Sequence, residues 1–171
     1  MTDDTTPSTS RWQLRVTVFV ALCIIAGVVL GLVRIFRLDI QLKSHLTNVS
    51  CRARVGGVSG VVIIGFTLTD HPQTIVVRTL GPSLTQYGVP DALPDTTLRI
   101  IRQEDGREIV RNDDWQTPEN ERLRTNLTDY APKHPREAAC VLDLKPGAYT
   151  AIVEGKNGAQ GVVLIDVFNV K

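Results

Sequence analysis

Two regimes of hydrophobic and polar positions divide this chain. From Val16 to Val33 eighteen residues, VTVFVALCIIAGVVLGLV, carry no charge. As an α-helix rising about 1.5 Å per residue they cover roughly 27 Å, close to the thickness of a bilayer's hydrocarbon. Trp12 stands one turn ahead, where an interfacial aromatic belongs, and Arg15, Arg34 and Arg37 can snorkel toward headgroups at the two ends. The spacing predicts a single transmembrane helix over 12–35, behind a polar tail over 1–11. A cleaved signal peptide would end in small residues, whereas RIFRLDIQ follows here without an Ala-x-Ala pattern. Ala26, Gly27 and Gly31 form a small-residue face on which another helix backbone could pack.

Beyond the run the period drops to two. Phe36, Leu38, Ile40 and Leu42 alternate with Arg37, Asp39, Gln41 and Lys43, which predicts an extended stalk over 36–45. Residues 46–171 then read as short strands rich in Val, Ile and Thr, punctuated by Gly, Pro and Asp. Strands are expected near 47–55, 61–69, 74–80, 96–103, 108–112, 137–144, 148–155 and 161–170. The fold class is therefore all-β, a sandwich of about eight strands. In the first strand Val49, Cys51, Ala53 and Val55 share a packed face, while Asn48, Ser50, Arg52 and Arg54 share a wet one. The last strand is apolar on both faces, which suits a central, covered position. Asp105-Gly106 and Asn157-Gly158 each predict a tight hairpin, because both dipeptides tolerate positive φ. One helix is expected to open at Thr117-Pro118-Glu119, with Leu123, Leu127 and Tyr130 as a packing stripe across a gap in the sandwich.

Composition narrows the function. Nineteen basic and eighteen acidic residues leave a formal charge of +1, against a nucleic-acid surface. His45, His71 and His134 stand at no metal-ligand spacing, and no HExxH, Walker A, nucleophile-elbow or dinucleotide glycine pattern occurs. Ser83 in LGPSLTQYG lacks the glycine frame of a nucleophile on a sharp turn. Asn112, Asp113 and Asp114 form an oxygen-rich cluster of the type that ligates calcium; the competing reading is a turn in which Asn and Asp bond their own backbone. No catalytic residue, cofactor or small-molecule substrate is indicated.

The stretches LTNVSCRARVG, VVIIGFTL, IVVRTLGPSL, GVPDALPDTTL, NDDW and LKPGAYTAIVEGKNGAQGVVLIDVFNV occur in fixed order. Together, over 46–171, they resemble an uncharacterised β-sandwich module found at the C-termini of large secreted or surface-attached bacterial proteins. The resemblance implies an immunoglobulin-like or jelly-roll sandwich outside the cytoplasm, with no established activity. This chain departs from such modules by following a membrane helix, and by having cysteines at 51 and 140 where they have Ser or Thr and an aliphatic residue. Alternation turns Cys51 and Cys140 toward the core, so a disulfide closing about 90 residues becomes possible, worth roughly 4 kcal/mol. The other reading is two buried thiols acting as small hydrophobes.

The flanking charges are nearly tied across the apolar run and lean toward a cytoplasmic C-terminal part. The resemblance leans the other way, and the expectation is a single-pass protein of the bacterial inner membrane with a periplasmic sandwich. The function expected is that of a non-catalytic accessory subunit bracing or helping assemble a larger membrane complex, for example a respiratory or photosynthetic one, with the other subunits and the lipid bilayer as partners. The alternative is a surface-exposed glycan- or peptide-binding module.

Overall fold

The computed structural model describes residues 18–28, 48–57 and 60–170. The chain divides into two compact units, residues 1–45 and 46–171. In the first, residues 18–28 form a helix (α1), every residue of which is exposed, and a Cβ added at Gly27 would meet nothing. Among the described residues no helix is long and apolar enough to cross a membrane. The rest of the expected span, with Trp12, Arg15, Gly31, Arg34 and Arg37, lies outside the described residues, as do the tail and the stalk.

The second unit is a β-sandwich. Its strands are β1 (Asn48–Val55), β2 (Val61–Leu68), β3 (Gln73–Leu80), β4 (Thr96–Arg102), β5 (Glu108–Asn112), β6 (Ala139–Leu144), β7 (Gly147–Gly155) and β8 (Gly161–Val170). They form two four-stranded antiparallel sheets, ordered β1-β8-β3-β6 and β2-β7-β4-β5. Successive strands change sheet except at the β4–β5 hairpin. This is the eight-strand wiring of a jelly roll, and it differs from the seven-strand ABED/CFG order of an immunoglobulin domain.

Alternation explains the core. Ile75 and Val77 of β3, Val163, Ile165 and Val167 of β8 and Cys140 of β6 face Ile64 and Phe66 of β2, Leu98 and Ile100 of β4, and Tyr149, Ala151 and Val153 of β7. Phe66 stacks on Tyr149, and the Tyr149 hydroxyl donates to the Lys145 carbonyl at 2.8 Å, so the largest buried ring leaves no polar atom stranded.

Asp105-Gly106 does turn the β4–β5 hairpin, with Gly106 at φ 67° and the Arg107 N–H bonded to the Asp105 carboxylate. Asn157-Gly158 adopts the positive φ its sequence foretells, 54° and 77°, but makes no hairpin. β7 is already flanked by β2 and β4, and β8 by β1 and β3, so neither has an edge left for the other. The turn carries the chain across the sandwich instead.

The expected single helix is broken into three short pieces: a 3-10 turn Pro118–Asn120, the helix α2 (Glu121–Thr125) and a 3-10 turn Thr128–Tyr130. The break has a cause at Asn120, whose side-chain amide donates to the Ala139 carbonyl at 2.8 Å and so anchors the segment to the edge of β6. Leu123 is fully buried, and with Trp115, Leu127 and Tyr130 it covers Val76, Phe168 and Val170. The stripe packs, as expected, and what it covers is the outer face of the β1-β8-β3-β6 sheet. That cover is why β8 is apolar on both sides.

Cys51 and Cys140 are both free. They lie on β1 and β6, the opposite edges of one sheet with β8 and β3 between them. At about 4.8 Å per strand step their backbones are some 14 Å apart, twice what a disulfide spans. Burial pushes the Cys140 thiol up to about 12, so it stays protonated and inert. Unreduced, denatured protein is expected to titrate three free thiols, with Cys140 unmodified by iodoacetamide until unfolding; two missing thiols would contradict this placement.

Candidate functional site

Several polar side chains in and beside the motif stretches bond to one another. In RTLGPSL, Arg78 donates to the Asp166 carboxylate at 2.9 Å and to the Tyr130 carbonyl at 3.0 Å, with its guanidinium over the Phe168 ring. The Thr79 and Thr96 hydroxyls meet at 2.7 Å, and Thr96 Oγ1 accepts the Ala138 N–H. Glu137 is wholly buried: its Oε1 accepts the Gly81 N–H, the Ser83 N–H and the Ser83 hydroxyl at 2.9, 2.9 and 2.6 Å, and its Oε2 accepts the His134 N–H at 3.2 Å. Ser83 is thus a buried strut, not a nucleophile. Gly81 is required because a Cβ there would lie 2.2 Å from the Leu93 carbonyl oxygen. In NDDW, the Trp115 indole N–H reaches the His134 carbonyl at 3.2 Å. These residues hold strands, turns and connections together and present no chemistry at a surface.

The oxygen-rich cluster is rearranged from its expectation. Asn112 is buried, its amide oxygen accepting the Ala139 N–H at 3.0 Å and its amide nitrogen donating to the Asp114 carbonyl, so it is unavailable as a ligand. Asp95, just before β4, takes its place: carboxylate oxygens of Asp95, Asp113 and Asp114 lie within 4.8 Å of one another. Asp95 was hidden from sequence reading because only the β4–β5 pairing brings it beside residues 113 and 114. A cation already serves the cluster. The Lys156 ammonium sits 2.6 Å from Asp113, and that contact raises its pKa. Burial raises the Asp95 pKa, opposed by Lys156 and reinforced by Asp113 and Asp114.

An acid whose folded pKa is raised costs stability above that pKa, and the cost disappears as pH falls below the unfolded value. Asp95→Asn is therefore expected to melt above the parent at pH 7, the difference closing toward pH 3. Lys156→Met is expected to melt below the parent at pH 7, less so in high salt. A calcium-dependent rise in melting temperature of the parent would instead assign the cluster to a metal.

The surface feature of greatest interest was not legible in the sequence. On the outer face of the first sheet, Arg52 of β1, Leu164 of β8 and Leu80 of β3 stand in one cross-strand row. Leu84 and Tyr87, from the 3-10 turn Pro82–Tyr87, and Val89 wall a hollow of about 400 Å³ against that row. The turn is closed by Gly88 at φ 79°, which reverses the chain so that the Val89 N–H bonds back to the Leu84 carbonyl. Tyr87 is 73 % exposed. Among the described residues Arg52 has no acid within ion-pair distance, whereas its neighbour Arg54 is bonded to Asp91.

No family model matches the chain, and no curated protein does. Among solved structures, the crystal structure of a pre-peptidase C-terminal domain of a collagenase from Bacillus anthracis superposes with a TM-score of 0.46 at 13 % identity, over 71 % of this chain and 89 % of that one. Four of the hollow's six residues fall between Leu80 and Val89, and only Arg52 and Leu164 are brought in from distant strands. The local signal was the spacing of Leu80, Leu84 and Tyr87 at i, i+4 and i+7 through the turn-rich stretch LGPSLTQYGVP.

Proposed function

We propose that this chain is a non-catalytic holding module: a sandwich tethered to the bacterial inner membrane by its apolar run, on the periplasmic side, that keeps a protein partner in place as an accessory subunit of a membrane complex. One observation carries the non-catalytic part. Ser83, Glu137, Thr79 and Thr96 are spent on one another in the interior, Arg78 is paired with Asp166 on the sheet's outer face, and the open surface offers an apolar hollow. The tether rests on the eighteen uncharged residues between Arg15 and Arg34. The periplasmic side rests on the resemblance to modules of exported proteins.

The glycan-binding alternative is less well served by this surface. Four of the hollow's six lining side chains are aliphatic, which leaves sugar hydroxyls few partners.

Carbonate washing of membranes and protease treatment of spheroplasts test the tether. The full chain is expected to stay in the pellet and its sandwich to be digested from outside. Release into the supernatant, or protection until lysis, overturns the reading.

A further inference from the structure

We propose that the hollow beside Tyr87 seats an extended segment of a protein partner, with a bulky apolar side chain over Leu80 and Leu164 and an aspartate or glutamate against Arg52. This deepens the holding function above and rests on it.

The outer face of the β1-β8-β3-β6 sheet is covered over only part of its length, and the covered part shows what kind of surface it takes. There the segment containing Trp115, Leu123, Leu127 and Tyr130 lays apolar side chains on Val76, Phe168 and Val170. The next row along is polar and internally satisfied: Ser50 donates to Asp166, and Arg78 pairs with the same carboxylate. The row after that, Arg52–Leu164–Leu80, returns to apolar floor with a guanidinium at its edge, and here the described chain supplies only the wall of Leu84, Tyr87 and Val89. The two rows differ in charge. Arg78 has its acid at 2.9 Å, whereas Arg52 has none within ion-pair distance among the described residues and acts only at longer range on Asp91, which is bonded to Arg54. A ligand completing the Arg52–Leu164–Leu80 row gains most by bringing both an apolar side chain and a negative charge.

The dimensions agree. Two strand steps from Arg52 to Leu80 span about 10 Å, room for one large side chain with its own backbone passing over the rim. A tyrosine that is 73 % exposed at such a rim, above a buried Leu84, supplies contact area at little entropic cost. The aliphatic floor discriminates against a sugar, and the single arginine against a cationic segment.

The test uses the full chain in lipid nanodiscs with labelled Leu and Val methyls, titrated with the peptide acetyl-Gly-Phe-Asp-Gly-amide. Saturable shifts are expected at the Leu80, Leu84, Val89 and Leu164 methyls. The Phe→Ala peptide is expected to bind at least about tenfold more weakly. The Asp→Lys peptide is expected to bind about fivefold more weakly, the scale of one partly exposed ion pair. Arg52→Glu, a change at an exposed position, is expected to invert the Asp-over-Lys preference, and Tyr87→Ala to weaken both peptides. Equal binding of the Asp and Lys peptides, shifts confined to other methyls, no saturable shift in the millimolar range, or saturation by octanoate or methyl glucuronide in place of the peptide would each overturn the proposal. A chain that stays in carbonate-washed membranes yet ignores the peptide overturns the hollow alone. A chain released by carbonate overturns the tether and leaves the titration to judge the hollow.

Discussion

Glu137→Ala is expected to be among the most damaging single changes in the sandwich, lowering its stability by about 4 kcal/mol. The carboxylate accepts four hydrogen bonds, three of them from backbone N–H groups of Gly81, Ser83 and His134, and no part of it is exposed. Each buried donor left without an acceptor costs about 1–3 kcal/mol, with some relief because the Ser83 hydroxyl can rotate and water can enter the space. A domain of this size has only about 5–15 kcal/mol in total, so the loss removes a quarter or more of its stability. Glu137→Gln separates the acceptors: it keeps an oxygen for Gly81 and Ser83 but turns an amide N–H toward that of His134, for a loss of about 1–2 kcal/mol. Urea unfolding of the full chain followed by Trp115 fluorescence, in a Trp12→Phe background, reads both. An alanine variant within about 1 kcal/mol of the parent would mean that Glu137 is not the clamp between β3 and the segment leading into β6.

The second large effect is expected at Leu93, in the loop GVPDALPD. This side chain is fully buried, and the chain folds around it closely enough that added methyl groups have no space. A Cβ on Gly155 would approach a Leu93 methyl at 2.9 Å, and one on Gly161 would meet the Leu93 N–H nitrogen at 2.6 Å. The Leu93 N–H bonds the Val162 carbonyl at 2.7 Å, and the Val162 N–H bonds the Asp91 carbonyl at 2.8 Å, so the loop is stitched to the start of β8. Leu93→Ala is expected to cost about 3–4 kcal/mol, near the middle of the range for a core leucine whose cavity cannot collapse. The same urea series measures it. A loss under about 1.5 kcal/mol would show that the loop relaxes into the space.

The strands were legible in the sequence because their signal is local. β1 alternates from Val49 to Val55, and inward and outward faces follow from the pleat without knowledge of any partner. The pairing of strands is not local. Asn157-Gly158 declares its backbone angles, yet it lies between two strands that are each enclosed by others, so the hairpin expected there does not exist. The cysteines fail in the same way: both point inward, but direction says nothing of the two strands between them. Asn112 looked like a ligand because the Ala139 N–H that occupies it lies 27 residues further on. The hollow belongs to this class too, since Arg52, Leu80 and Leu164 become neighbours only through sheet register.

The pairing of β1 with β8 has a consequence for how the molecule is made. Within its sheet β1 has no neighbour other than β8, and β3 has β8 on one side, so eight rungs from Asn48↔Phe168 to Val55↔Gly161 join the first strand to the last. While the nascent chain is still short of β8, the first strand has nothing to pair with and half of the core faces solvent. The sandwich therefore cannot assemble piecemeal on the ribosome. The sheet closes only after the last strand has been synthesised, so the domain folds as one unit late in its production.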